Sequence, residues 1–120
     1  YYEYCTNHFV RVPMEPVCVT PRCPIRTTLE MLGGKWKLLI LFQLTTDTLR
    51  FAELRRRIPG ISEKMLVQEL KSLLDSELVE RINYGEVPPR VEYRLTDRGK
   101  LALPVIEAMR HFAVHYDQRP

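Results

Sequence analysis

The sequence predicts a mainly helical domain that carries one small β-hairpin, and three observations predict it. Between Leu49 and Leu78 two amphipathic segments flank Pro59-Gly60, a pair that stops one helix and permits a sharp reversal. Directly afterwards, Val79 to Asn83 and Val91 to Leu95 alternate apolar and polar residues, the period of half-buried strands. From Thr96 onward the period lengthens again, and Leu101, Val105, Met109, Phe112 and Tyr116 carry an apolar stripe towards the C-terminus. Helix, turn, helix and hairpin in that order make a winged helix-turn-helix.

Taken in order, residues 1–22 are punctuated by Pro13, Pro16 and Pro21 and hold no period for long. They read as an N-terminal arm with a short strand around His8 to Val12. Tyr1, Tyr2, Tyr4, Phe9 and Val10 suit an arm that packs on something, such as a second subunit. Residues 23–120 form the domain itself. Cys23-Pro24 opens its first helix, proline being suited to an early helical position, and Ile25, Leu29 and Leu32 line one face. Gly33-Gly34 ends it. Lys35 to Leu44 is almost wholly apolar after its first turn and is expected as the central buried helix, with Trp36 anchoring the core or an interface. Thr45 to Thr48 form a polar loop.

The next helix places Phe51, Leu54 and Ile58 on one face. Ser62 then caps a second helix, Ser62 to Asp75, whose dipole favours Glu63 in the first turn. Leu66, Leu70, Leu73 and Leu74 form its inward stripe, and Lys64, Gln68 and Lys71 its outer face. Lysine and glutamine can contact phosphate oxygens and base edges. Alone, this pair of helices is equally an ordinary helical hairpin with a solvated face. The hairpin decides. Tyr84 to Arg90 is an exposed loop, marked by glycine and proline and ending in a cation, and it forms a wing directly behind a recognition helix.

Thr96 caps the last helix, about residues 96–117, with Asp97 in its first turn and Pro104 expected to kink or restart it. Its stripe lies outside the small winged core. With the arm and the first helix it makes the best dimerisation surface in the chain, the alternative being that it folds back on its own subunit.

At 120 residues the chain suits one domain with a modest core, one that gains stability from a partner. A formal charge of +3 permits nucleic-acid binding without demanding it, so charge placement matters more than the sum. No apolar run approaches a membrane span and no signal-peptide pattern is present. Position 1 is not Met, which points to a trimmed start. The three cysteines, Cys5, Cys18 and Cys23, are an odd number and none lies in the folded region beyond residue 23. That fits free thiols in a reducing compartment better than a secreted disulfide framework, and a soluble cytoplasmic protein is expected.

These residues carry a family resemblance. CPIRTTLEMLGGKWKLLILFQL, RFAELRRRIPGISEKMLVQELKSLL, LVERINYGEVPPRVEYRLTDRGK and LPVIEAM, in that order, resemble the HxlR family of bacterial winged-helix regulators, relatives of the MarR type. Cys-Pro, Gly-Lys-Trp, Arg-Phe-x-Glu-Leu, Ile-Pro-Gly-Ile-Ser and Pro-Pro-Arg-Val-Glu-Tyr together are far more specific than any one of them. The resemblance implies a homodimeric regulator of transcription, more often a repressor, on a palindromic operator in double-stranded DNA. Residues 1–22 fall outside it. Ser76-Glu77-Leu78 departs from it, standing where the family's helix end often carries glycine; a left-handed Glu77 would be strained.

Carried over residue by residue, the resemblance puts Ser62, Lys64, Met65 and Gln68 where base edges or flanking phosphates are reached, and Lys71 on a phosphate. Lys35, Arg50 and Arg55 would hold the domain on the backbone, and Arg90 at the wing tip would enter the minor groove. Arg56 and Arg57 are expected only to be solvated, since three consecutive arginines cannot all face one groove. Gln68→Ala should then alter sequence preference, and Arg55→Ala should weaken binding to all sequences.

Cys23 sits at a helix N-terminus, where the dipole and free N–H groups raise thiolate content. In several members of the resembled family a cysteine at this Cys-Pro position senses oxidants and electrophiles. Oxidation or alkylation by a small effector could therefore switch DNA binding, with Cys5 and Cys18 as resolving partners. The plainer reading is a small buried residue. Cys5, His8, Cys18 and Cys23 would be acceptable zinc ligands, but their spacing is not a paired-knuckle pattern, and His111 with His115 lacks a third ligand. No metal or other cofactor is expected.

The leading function is thus a DNA-binding regulator. The alternative is a winged-helix protein-interaction module without DNA binding, and an enzyme is weakest. The chain offers no nucleophile with base and orienter, no phosphate-cradling glycine loop and no paired catalytic carboxylates.

Overall fold

The computed structural model describes residues 23–118. The expected arm, its strand around His8 to Val12, and Cys5, His8 and Cys18 lie outside those residues. The chain divides into two compact units, residues 1–30 and 31–120. The elements run α1 (Pro24–Leu32), α2 (Lys37–Gln43), α3 (Phe51–Arg57), α4 (Glu63–Asp75), β1 (Val79–Asn83), β2 (Val91–Leu95), a 3-10 turn (Gly99–Ala102) and α5 (Leu103–Asp117).

Cys23 starts α1 by accepting the Thr27 N–H on its carbonyl at 2.9 Å. Ile25 and Leu29 are exposed, while Leu32 joins the core. Gly34, at φ 95°, makes the break that follows. The second helix corrects an expectation. It is shorter than Lys35 to Leu44 and is buried on one side only: Ile40, Leu41 and Leu44 are buried, but Leu39 is 45% and Phe42 39% exposed. Trp36 packs partly buried on the core.

The helix-turn-helix forms as its sequence dictates. The Glu53 carboxylate accepts the Arg50 backbone N–H at 3.0 Å and closes the start of α3. Leu54 and Ile58 are buried, and Gly60 turns the chain at φ 88°. The Ser62 hydroxyl accepts the Met65 N–H at 3.1 Å, satisfying one of the free donors at the start of α4. Leu66, Leu70 and Leu73 are buried beneath that helix, with Leu74 half-buried at its edge.

Glu77, at φ 60°, is the left-handed residue that ends α4. The Leu78 N–H donates to the Leu73 carbonyl and the Glu77 N–H to the Leu74 carbonyl, both at 3.0 Å, which is the Schellman pairing. The strain is offset by two local contacts. Arg98 pairs with the Glu77 carboxylate at 2.8 Å, and the Thr96 hydroxyl donates to the Glu77 carbonyl at 2.6 Å. Glu77→Gly removes the strain and an exposed ion pair of small worth, so its unfolding free energy should lie within about 1 kcal/mol of the parent. Glu77→Val, β-branched at positive φ, should lose about 2 kcal/mol. Denaturant melts of both variants check this.

β1 and β2 pair antiparallel, with Val79 opposite Leu95 and Asn83 opposite Val91. Leu49 and Tyr93 exchange two backbone hydrogen bonds, at 3.0 and 2.7 Å, and so tie the hairpin to the chain entering α3. This bridge fixes the wing beside the helix-turn-helix. Thr96 is a cap, though of a different element than expected: its hydroxyl accepts the Gly99 N–H at 2.9 Å and starts the 3-10 turn. Pro104 sits in the first turn of α5, where its missing N–H costs nothing, so it restarts the helix rather than kinking it. Ile106 is buried and Leu103 and Val105 pack on the core, but Leu101, Met109, Phe112 and Val114 are exposed, Phe112 at 71%.

Candidate nucleic-acid interface

The outer face of α4 carries Lys64, Gln68 and Lys71, all exposed as expected, and Ser62 is exposed at its start. Met65 is not on that face. It is half-buried and packs against the core, because one helical step beyond Lys64 carries the side chain round towards the protein. Lys37 on α2 pairs with Glu69 on α4 at 3.6 Å and holds the recognition helix from the inner side.

The arginines of α3 divide differently from the expectation. Arg55 pairs with Glu63 at 3.6 Å and Arg57 with Asp47 at 3.2 Å. Arg56 lies between them, and with Arg50 it lines one shallow depression that also includes Glu53 and Glu92. Among the described residues, Arg50, Arg56, Lys64 and Lys71 make no salt bridge. Cations without partners are those free to meet phosphates. Arg56, expected only to be solvated, is exposed, whereas Arg55, expected to reach the DNA backbone, lies against Glu63. The deciding pairings, across the loop before α3 and the turn after it, have no fixed spacing that a sequence reveals. Lys35 holds its ammonium 4.7 Å from the Trp36 ring centroid and remains exposed.

Arg90 is not at the wing tip. The Tyr84 N–H donates to the Arg90 carbonyl at 3.0 Å, which extends the ladder by one step and puts Arg90 at the base of the loop. Its guanidinium lies 4.7 Å from the Tyr84 ring centroid and 3.6 Å from the Glu92 carboxylate. Tyr84 also hydrogen-bonds Glu92, which raises the tyrosine pKa above its ordinary range. The same bond, with Arg90 and Arg50 adding their charge, lowers that of Glu92. The tip itself is Gly85 to Pro89, where Val87 is 97% exposed. Proline and glycine density marked the loop in the sequence, but the strand register decides which residue is its apex.

Cys23 is a free thiol, 4% exposed, at the start of α1. His111 and His115 stack with ring centroids 4.0 Å apart, and the His115 Nδ1–H donates to the His111 carbonyl at 2.9 Å. Among the described residues no group of three or more His, Cys, Asp or Glu side chains is placed to hold a metal ion. No helix among them is long and apolar enough to cross a membrane.

A capped helix after a tight turn and a hairpin bridged to the chain before α3 are joined by sequence kinship. The family model of HxlR-like helix-turn-helix proteins matches residues 31–120. The chain belongs to that family. An HTH-type transcriptional regulator of Methanothermobacter thermautotrophicus is 46% identical over 87 residues, covering 72% of this chain and 66% of that protein. A solved MarR-family regulator from Porphyromonas gingivalis W83 is 45% identical, with a TM-score of 0.78 over 82% of this chain and 97% of its own. The redox regulator HypR in its oxidised form is 36% identical, with a TM-score of 0.73 over 82% of this chain and 99% of its own. This HxlR-like protein is a transcriptional regulator with a winged helix-turn-helix fold, and its relatives belong to a non-enzymatic class.

Proposed function

We propose that the protein is a cytoplasmic homodimeric repressor that reads a palindromic operator in double-stranded DNA through α4. The observation that carries this reading is the exposed row of Lys64, Gln68 and Lys71, with Arg50 and Arg56 on and before α3, none of these cations making a salt bridge among the described residues. Gln68 reads base edges; Lys64 and Lys71 sit on flanking phosphates; Arg50, Arg56 and Lys35 anchor the backbone. Ser62 keeps its own O–H to donate to a phosphate while its oxygen caps the helix. Arg90 positions the wing through Tyr84 and Glu92 rather than entering the groove.

The exposed apolar residues Ile25 and Leu29 on α1, and Met109 and Phe112 on α5, support a second copy as partner. A two-fold dimer presents its two α4 helices to successive major grooves, about 34 Å apart. The likeness to HypR, named a redox regulator, supports oxidant or electrophile sensing at Cys23. Because the thiol is buried, such an effector reaches it when the start of α1 opens.

Selection of bound duplexes from random DNA tests the reading. Parent protein should yield a two-fold symmetric consensus, and Gln68→Ala should change the preferred base at one position in each half. Equal losses on operator and random DNA for Gln68→Ala would remove Gln68 from base reading. The same selection with oxidised protein should lose the consensus, and Cys23→Ser should retain it under oxidant.

A further inference from the structure

The outer face of α4 holds one residue that neither the core nor the phosphate chemistry accounts for. Val67 is 52% exposed, three residues after Lys64, beside Gln68 and four before Lys71. On a helix those offsets put it in the same outward row as the two lysines. Its β-branched side chain loses rotamer freedom in a helix and, at this exposure, gains little burial in return. The side chain is therefore costly in the free protein and gains when a flat apolar group covers it. In a major groove the apolar group available at a base edge is the 5-methyl of thymine.

We propose that Val67 is a specificity-determining residue that packs on a thymine methyl beside the base read by Gln68. The proposal rests on the DNA-binding reading above and adds a second, apolar element to its code. Lys64 and Lys71 bracket Val67 on the helix and would seat the row on the backbone. Gln68, its direct neighbour, would read the adjoining base by hydrogen bonds. Cytosine presents a hydrogen at the position of that methyl, and uracil differs from thymine in the methyl alone, so the contact can be tested one atom group at a time.

The test is a cycle on a duplex obtained by selection. Each thymine is replaced in turn by uracil, and affinity is measured for the parent and for Val67→Ala. At one thymine per half-site the parent should lose about fourfold, the factor that burial of one methyl-sized group corresponds to. At the same position Val67→Ala should bind thymine and uracil equally. Val67→Ala should fold with an unchanged or raised melting temperature, since alanine is the better helix former at an exposed site. A parent insensitive to every uracil, or an equal uracil penalty in Val67→Ala, would overturn the methyl contact and leave DNA binding standing. Failure of selection to enrich any duplex would overturn both.

Discussion

Gly99→Ala should lose about 3 kcal/mol of stability, enough to lower the melting temperature of a domain this size by roughly 10 °C or more. A Cβ at this position would stand 2.1 Å from the Leu78 carbonyl oxygen and 3.1 Å from its carbon. Both are backbone atoms, and neither can swing aside. The same carbonyl accepts the Thr96 N–H at 3.1 Å, and Thr96 in turn caps the turn that holds Gly99. Moving Gly99 outwards therefore breaks the junction of α4, β2 and the C-terminal segment together. Gly34→Ala is the contrast: nothing lies within 4 Å, and its cost is the positive φ of 95° alone, about 1 kcal/mol. Thermal and urea melts of the two variants check the difference.

The double variant Arg50→Ala/Arg56→Ala should weaken binding to every duplex by on the order of a hundredfold, with the sequence preference unchanged. Each arginine supplies a charge-assisted contact worth about 1.5 kcal/mol, and among the described residues neither makes a salt bridge, although Arg50 acts on the Glu92 carboxylate through its charge. The slope of log affinity against log salt should fall by about 2, since each neutralised phosphate contributes about 0.9. Arg55→Ala should lose far less, because Arg55 must leave Glu63, 3.6 Å away, before it meets a phosphate. Titration of labelled duplex at several salt concentrations separates the three proteins.

The fold was readable because its signals are local. Pro59-Gly60, the Ser62 cap, the leucine stripe of α4 and the alternation of the two strands each act within a few residues, and each lies where expected. Glu77 took the left-handed position that its place at the helix end required. The surroundings of the candidate site were less readable because they are relational. Met65 turned inwards by one helical step, and Arg90 descended to the wing base by strand register. Arg55 and Arg57 found carboxylates eight and ten residues away, leaving Arg56 free. Residue type announces which side chains can touch DNA. Which of them are unoccupied depends on what the turns bring alongside.

The exposed stripes of α1 and α5 follow the same rule. Periodicity placed Ile25, Leu29, Met109 and Phe112 on faces, and in the structure all four are exposed. An amphipathic helix written in a sequence says that something is buried against it, without saying whose.

The central claim is that the row on α4, with the arginines at its flank, is a surface for duplex DNA. Its most direct test is the affinity of the unmodified protein for a selected duplex as monovalent salt is raised from about 50 to 200 mM. Several phosphate contacts predict a linear fall of log affinity with log salt, losing about a thousandfold or more across that range. Binding that is indifferent to salt, or no binding to duplex at the lowest salt, would contradict the claim and leave the winged helix as a surface for protein partners.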